Sequence, residues 1–176
     1  SVAVDLLAAI QKEGFITKHG DTLMHLAAVS VRADILPILA SMGEATDSVN
    51  KFDETPLLKA IKYGKDTGVI SWFLRHEVDS YASETNLSKL AFMAVTYQNG
   101  YSLNALLDLG LNPDLVDSSG QSLLMHAVKK RDIACLDALL THKASTLAVK
   151  GKKTPLELAL EYNHYKVAAH LIDKGA

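Results

Sequence analysis

The sequence predicts an all-α stack of repeated helix-turn-helix units, and three observations carry that prediction. Similar phrases recur along the chain. An alanine and a large apolar residue return at fixed distances inside each recurrence. Each recurrence also holds two short apolar patterns of helical period. The phrases are DTLMHLAA at 21–28, TPLLKAI at 55–61, KLAFMAV at 89–95, QSLLMHAV at 121–128 and TPLELAL at 154–160. Aligned on the anchors Thr22, Thr55, Lys89, Ser122 and Thr154, they step by 33, 34, 33 and 32 residues.

The elements follow from the anchors. Thr22, Thr55, Ser122 and Thr154 suit the N-cap of a first helix. Pro56 and Pro155 come next, in the first-turn slot where a missing N–H costs nothing. Five residues after each anchor stands Ala27, Ala60, Ala94, Ala127 or Ala159, small enough to let the two helices of a unit approach closely. Gly64 and Asn163 mark the end of a first helix, where both tolerate a left-handed backbone. The second helix carries Leu39, Leu106, Leu139 or Leu171 seventeen after the anchor. In the second unit the match is Phe73, one step late, which fits a single insertion around 65–68. Pro37 falls in the first turn of a second helix, where it is allowed. A turn follows at Gly43, Gly110, Lys143 and Gly175, and at HEVD in the second unit.

At this point the anchors resemble the T-P-L-H-x-A phrase of ankyrin repeats, at the ankyrin period. The resemblance runs from Lys18 to Ala176. Its boundaries are 18–50, 51–84, 85–117, 118–149 and an incomplete 150–176, preceded by a capping helix or half-repeat over 1–17, all in one continuous domain. The copies depart from the pattern where Lys89 replaces Thr, and where Asp53, Leu87 and Lys152 replace the usual Gly two before the anchor. The resemblance implies an ankyrin-repeat solenoid, and for His25 a hydrogen bond linking neighbouring loops. His126 stands one step out of that register and is expected to project from the first helix toward the concave face. His170 takes an apolar core position and is expected to face solvent at an end cap.

Composition excludes several functions. The chain has 176 residues, 48% hydrophobic and 22% charged, with a formal net charge of −2. That supports one sizeable core and gives no global attraction to nucleic acid or an anionic membrane. No apolar run approaches the roughly 20 residues of a membrane helix. The opening SVAVDLLAAI contains Asp5 and lacks a basic lead, so it does not read as a signal peptide. A single cysteine, Cys135, allows no internal disulfide and points to a reducing, intracellular compartment: the cytoplasm, a nucleus or a host cytosol. Cys135 matches the inward Ile35, Val69 and Val167, so it reads as core rather than nucleophile. No two histidines stand four apart, and GKDTG at 64–68 lacks phosphate-loop spacing. No catalytic residue, metal ligand, cofactor or small-molecule substrate is expected, and the protein is expected to be a monomer.

Function in a repeat stack resides in an extended surface. The resemblance places contacts at the hairpin tips, four, three and one before each anchor, and on the first helix, seven and eight after it. Those positions hold Phe52, Lys62 and Tyr63 in the second unit, Thr96 and Tyr97 in the third, Lys129 and Lys130 in the fourth, and Lys150, Lys153 and Tyr162 in the fifth. Three tyrosines at one helical position suit the aromatic anchors of protein interfaces. The lysines there, with Lys152, suit an acidic partner segment. The expected function is non-catalytic binding of a partner protein across the concave face and tips. The alternative is the targeting or scaffolding segment of a larger enzyme or of a secreted bacterial effector.

Overall fold

Helix starts follow the cap residues. The computed structural model describes residues 14–76, 84–147 and 152–175. Contacts divide them into two units, one within 1–82 and one within 83–176. The first unit holds α1 (Leu23–Ala28), α2 (Ile35–Ser41), α3 (Pro56–Tyr63) and α4 (Thr67–His76). The second holds α5 (Glu84–Thr96), α6 (Gly100–Asp108), α7 (Leu123–Lys130), α8 (Ile133–Thr141), α9 (Pro155–Glu161) and α10 (Tyr165–Asp173). No strand occurs among the described residues; the one extended pairing is an isolated antiparallel bridge between Val116 and Ser122.

Thr55, Ser122 and Thr154 accept at their side-chain oxygens from Leu58 N (3.2 Å), Met125 N (3.2 Å) and Glu157 N (3.1 Å). Pro56 and Pro155 open α3 and α9. These contacts satisfy N–H groups that a helix start otherwise leaves without partners.

Within the first unit α1 packs on α3, α2 on α1 and α4 on α3. Within the second, α7 lies against both α5 and α9, and α8 against α6. The five alanines are buried, as are Leu39, Phe73, Leu106, Leu139 and Leu171. Each unit therefore builds its core from the two positions the repeat fixes, and neighbouring pairs share it. The expected turns at Gly43, Gly110, Lys143 and Gly175 all have positive φ, from 63° at Lys143 to 91° at Gly110.

The structure corrects three expectations. Lys89 does not open a helix, because α5 begins five residues earlier at Glu84. The run Asn86–Ser88 is therefore helical rather than a hairpin tip: with no Pro or Gly before Lys89 to break the backbone, the cap-type residues Asn86 and Ser88 are carried inside the helix. Gly64 does not turn left-handed: its φ is −63° and ψ 143°. Its requirement is steric, since a Cβ there would stand 2.5 Å from the carbonyl oxygen of Ala60. The left-handed place nine after the anchor is taken instead by Gln98, Arg131 and Asn163. Third, His170 is only partly turned to solvent: it is half-buried, and its Nε2 donates to the part-exposed Asp137 Oδ1 at 2.9 Å, on the preceding second helix. Most of the capping segment 1–17, the HEVD turn beyond His76, and Lys150 lie outside the described residues.

Candidate functional site: hairpin tips and first-helix ends

Three hairpins are built on one device. The side-chain oxygen five residues before the anchor accepts two backbone N–H groups, three and one before it. Thr17 Oγ1 accepts from His19 (3.3 Å) and Asp21 (3.0 Å). Asn50 Oδ1 accepts from Phe52 (2.9 Å) and Glu54 (3.1 Å). Asp117 Oδ1 accepts from Ser119 (2.8 Å) and Gln121 (2.9 Å). The residue two before the anchor is left-handed in each: Gly20, Asp53 and Gly120. The repeated Thr/Asn/Asp five before an anchor was a readable sequence signal for this Asx/ST-type turn.

These tips then bind the first helices. Lys62 Nζ donates to Glu54 Oε1 at 2.7 Å, Lys129 donates to Gln121 Oε1, and Lys153 Nζ donates to Glu161 Oε1 at 2.7 Å. All three pairs join the residue one before the anchor to the residue seven after it. Three expected partner-binding lysines thus also brace their own hairpins.

In the first unit the bracing crosses from one hairpin to the next. Asn50 Nδ2 donates to Asp21 Oδ1 (2.9 Å) and Glu54 Oε2 (3.2 Å), and Lys59 pairs with Asp21. Burial pushes the Asp21 and Glu54 carboxyls up, but the lysine and Asn50 hydrogen bonds outweigh it and hold both below the ordinary carboxylate range. Above this polar floor stands a recess of about 410 Å³, walled by His19, Phe52 and Tyr63. His19 and Phe52 have ring centroids 5.6 Å apart. Lys51 N donates to His19 O at 3.0 Å, fixing the two tips side by side.

The histidines take separate roles. His25 is fully buried, and its Nε2–H donates to the Glu54 carbonyl at 2.9 Å. Its Nδ1 accepts from Thr22 N (3.2 Å) and the Thr22 hydroxyl (3.0 Å), so one ring links the helix start to the next loop. His126 Nε2 donates to Asp117 Oδ2 at 2.8 Å and meets the Phe92 ring edge-on. The Gln121 N–H, with the Ser119 hydroxyl and His126, holds the Asp117 carboxyl well below the ordinary range. Cys135 is fully buried; desolvation, with Asp132 beside it, pushes its thiol far up, against thiolate formation. Among the described residues no group of three or more His, Cys, Asp or Glu is placed to hold a metal ion, and no helix is long and apolar enough to cross a membrane.

The remaining expected residues lie at the surface. Phe52, Tyr63, Tyr97 and Tyr162 are 63%, 50%, 45% and 43% exposed. Lys130 is exposed at the end of α7, between the positions of Tyr97 and Tyr162 on the packed series α5, α7, α9. Thr96 is exposed, with its hydroxyl donating to Phe92 O at 2.8 Å.

Repeated capped helix pairs, a close-contact alanine in each and the pinned hairpins before α1, α3 and α7 are the architecture of an ankyrin-repeat solenoid. Residues 91–176 match the family model described as ankyrin repeats (3 copies), and the ankyrin repeat domain of human ASB11 has the same fold, at a TM-score of 0.67 and 21% identity over 99% of this chain and 80% of that one. Among curated proteins, the chain is 27% identical over 159 residues to palmitoyltransferase AKR1 of Lachancea kluyveri, covering 87% of this chain and 21% of the relative. It is 33% identical over 114 residues to putative palmitoyltransferase ZDHHC13 of Danio rerio, covering 64% of this chain and 18% of the relative. The chain thus spans about a fifth of the length of these curated relatives. Ankyrin repeats are in general protein-interaction modules.

Proposed function

We propose that this chain binds a partner protein without catalysing a reaction, through its hairpin tips and the exposed ends of its first helices. The observation that carries the reading is the position eight after the anchor. It is surface-exposed as Tyr63 in the first unit and as Tyr97, Lys130 and Tyr162 in the second, while the alanine three residues earlier is buried each time. Aromatic side chains with two rotatable angles anchor interfaces at low entropic cost. Phe52 adds a second exposed ring in the first unit. Lys130, Lys150 and Lys152 favour an acidic partner segment, with Lys62, Lys129 and Lys153 contributing charge while bracing their hairpins. The protein acts as a monomer in an intracellular compartment.

A second reading is favoured by the relatives. In both, the matching stretch is a minor part of a longer protein named as a palmitoyltransferase. On that reading this segment is the partner-recognition portion of a larger enzyme.

The test is affinity capture with the wild-type chain against Tyr97→Ala/Tyr162→Ala and Tyr63→Ala variants, followed by thermal melts of each. Loss of one captured protein with unchanged melting supports the surface. Unchanged capture by all variants, or unfolding of all, sinks it.

A further inference from the structure

We propose that the cleft between the inter-helix turns of the last two repeats takes a glutamate side chain of a partner protein. This rests on the reading of the chain as a protein-binding module and adds a contact beyond the position eight after the anchor. The cleft lies within the second unit, where α7 turns into α8 and α9 into α10, and holds about 260 Å³. That is below the roughly 300–1,000 Å³ of small-molecule sites and suits a single side chain.

The lining carries two cations and no acid: Arg131 and Lys166, with Ile133, Tyr165 and Val167 between them. Both cations are exposed, and neither has an ion pair among the described residues. The recess of the first unit differs, because each of its lysines is already paired with a carboxylate. Around the cleft the acids are committed elsewhere. Glu161 pairs with Lys153 at 2.7 Å, and Asp137 with His170 at 2.9 Å and Lys174 at 3.3 Å. Asp132 is 7% exposed, and its Oδ1 accepts from Ala134 N (3.1 Å) and Cys135 N (3.2 Å). An incoming acceptor therefore meets a guanidinium and an ammonium with no carboxylate to displace.

The wall selects a stem as well as a charge. Val167 is buried, Ile133 is half-buried, and the exposed Tyr165 ring is tethered by its hydroxyl, which donates to Asn163 Oδ1 at 2.7 Å. At the back His164 is fixed by its Nδ1–H, which donates to the Val128 carbonyl at 3.0 Å. The two methylenes of a glutamate cover the apolar wall while its carboxylate reaches the cations. The guanidinium fork offers that carboxylate two parallel N–H donors. A partner lysine or arginine meets like charge.

The charge is peculiar to this junction. Nine after the anchor, Gln98, Arg131 and Asn163 are all left-handed, with φ 55°, 57° and 55°. Asn adopts that backbone more readily than Arg, so the turn itself does not call for the guanidinium. Twelve after the anchor the fourth repeat has Ala134 where the fifth has Lys166. Sister repeats thus supply neutral residues for both places.

The experiment is an amide-shift titration of the ¹⁵N-labelled chain with the probe acetyl-Ala-Glu-Ala-amide at millimolar concentration, repeated with Gln and with Lys in place of Glu. Amides of 131–135 and 163–167 are expected to shift saturably with the Glu peptide. The Gln peptide is expected to bind about five-fold more weakly, the scale of a partly exposed charge contact, and the Lys peptide not at all. Arg131→Asn/Lys166→Ala is expected to erase the preference for Glu over Gln with an unchanged melt. If that variant does not fold, Arg131→Gln/Lys166→Gln, using the residue of Gln98, gives the same reading. Lys130→Gln, adjacent but outside the cleft, is expected to keep most of the preference. Equal binding of Glu and Gln peptides, a preference that survives the double variant, or full loss in Lys130→Gln overturns the assignment. Inorganic phosphate is expected to bind no more tightly than the Glu peptide; tighter binding overturns the choice of a protein carboxylate. If the Glu peptide fails here while Tyr97→Ala/Tyr162→Ala still releases a captured partner, the cleft assignment falls and the broader binding surface stands. If the preference holds while no tyrosine variant releases a partner, the cleft stands and the broader surface falls.

Discussion

Lys62 Nζ lies 2.7 Å from Glu54 Oε1, tying the end of α3 to the base of the hairpin that precedes it. The same two repeat positions hold Lys153 and Glu161, also 2.7 Å apart, with the charges exchanged. The geometry is common to both; the surroundings are not. Glu54 is buried and also accepts from Asn50, whereas Lys153 and Glu161 are 56% and 46% exposed.

That contrast predicts different responses to charge exchange. Lys153→Glu/Glu161→Lys should leave the urea midpoint unchanged, since either order can pair in solvent. Glu54→Lys/Lys62→Glu should cost about 1–3 kcal/mol, because an ammonium in the buried place at 54 cannot accept from Asn50, whose amide then keeps only Asp21. Equal midpoint shifts in the two variants would contradict this account.

Stability should fall in acid. Asp21, Glu54 and Asp117 have folded-state carboxyls held below their ordinary values. Each thus contributes stability that is fully present above the unfolded value near 4 and is lost as pH falls through the folded value. Unfolding free energy measured by urea between pH 7 and pH 3 should decline, and Asp117→Asn should decline less steeply. A wild-type profile flat over that range would remove these groups from the account.

His25→Ala should destabilise the first unit by about 1–3 kcal/mol, because the fully buried ring is lost together with its hydrogen bond to the Glu54 carbonyl, which keeps only Asn50 N, and its acceptor for the half-buried Thr22 N–H. Hydrogen exchange localises the effect: amides of 22–28 and 50–58 should lose protection while those of α7 and α9 do not. Uniform loss across both units would argue against a local link.

Gly100→Ala should overpack the junction of α6 and α8. A Cβ at Gly100 would stand 2.8 Å from Ala134 Cβ and 3.0 Å from the Ala134 backbone carbon. Backbone cannot yield as a flexible side chain does, so the cost should be about 1–3 kcal/mol by thermal melt. Adding Ala134→Gly should restore part of it; no restoration would place the fault elsewhere.

The sequence alone determined the period, the caps, the close-contact alanines, the core residue seventeen after the anchor and the tyrosine that recurs eight after it in three units. Those signals act within one or two helical turns, so neighbours in the chain suffice to read them. It misplaced the start of α5, because Lys89 lies inside a helical stretch, Glu84–Thr96, that no proline or glycine interrupts. Tertiary structure decided what depends on stacking. Val95, Val128 and Leu160 share one repeat position and similar chemistry, yet the first two are buried and Leu160 is 51% exposed. The first two lie on helices with a following first helix packed against them, as α7 follows α5 and α9 follows α7. Stacking likewise brought Asp21 to Lys59, 38 residues on, and turned separate acids and lysines into a neutralised floor. Exposure and charge pairing are set by which surface the next helix pair covers, and no local pattern in the chain encodes that.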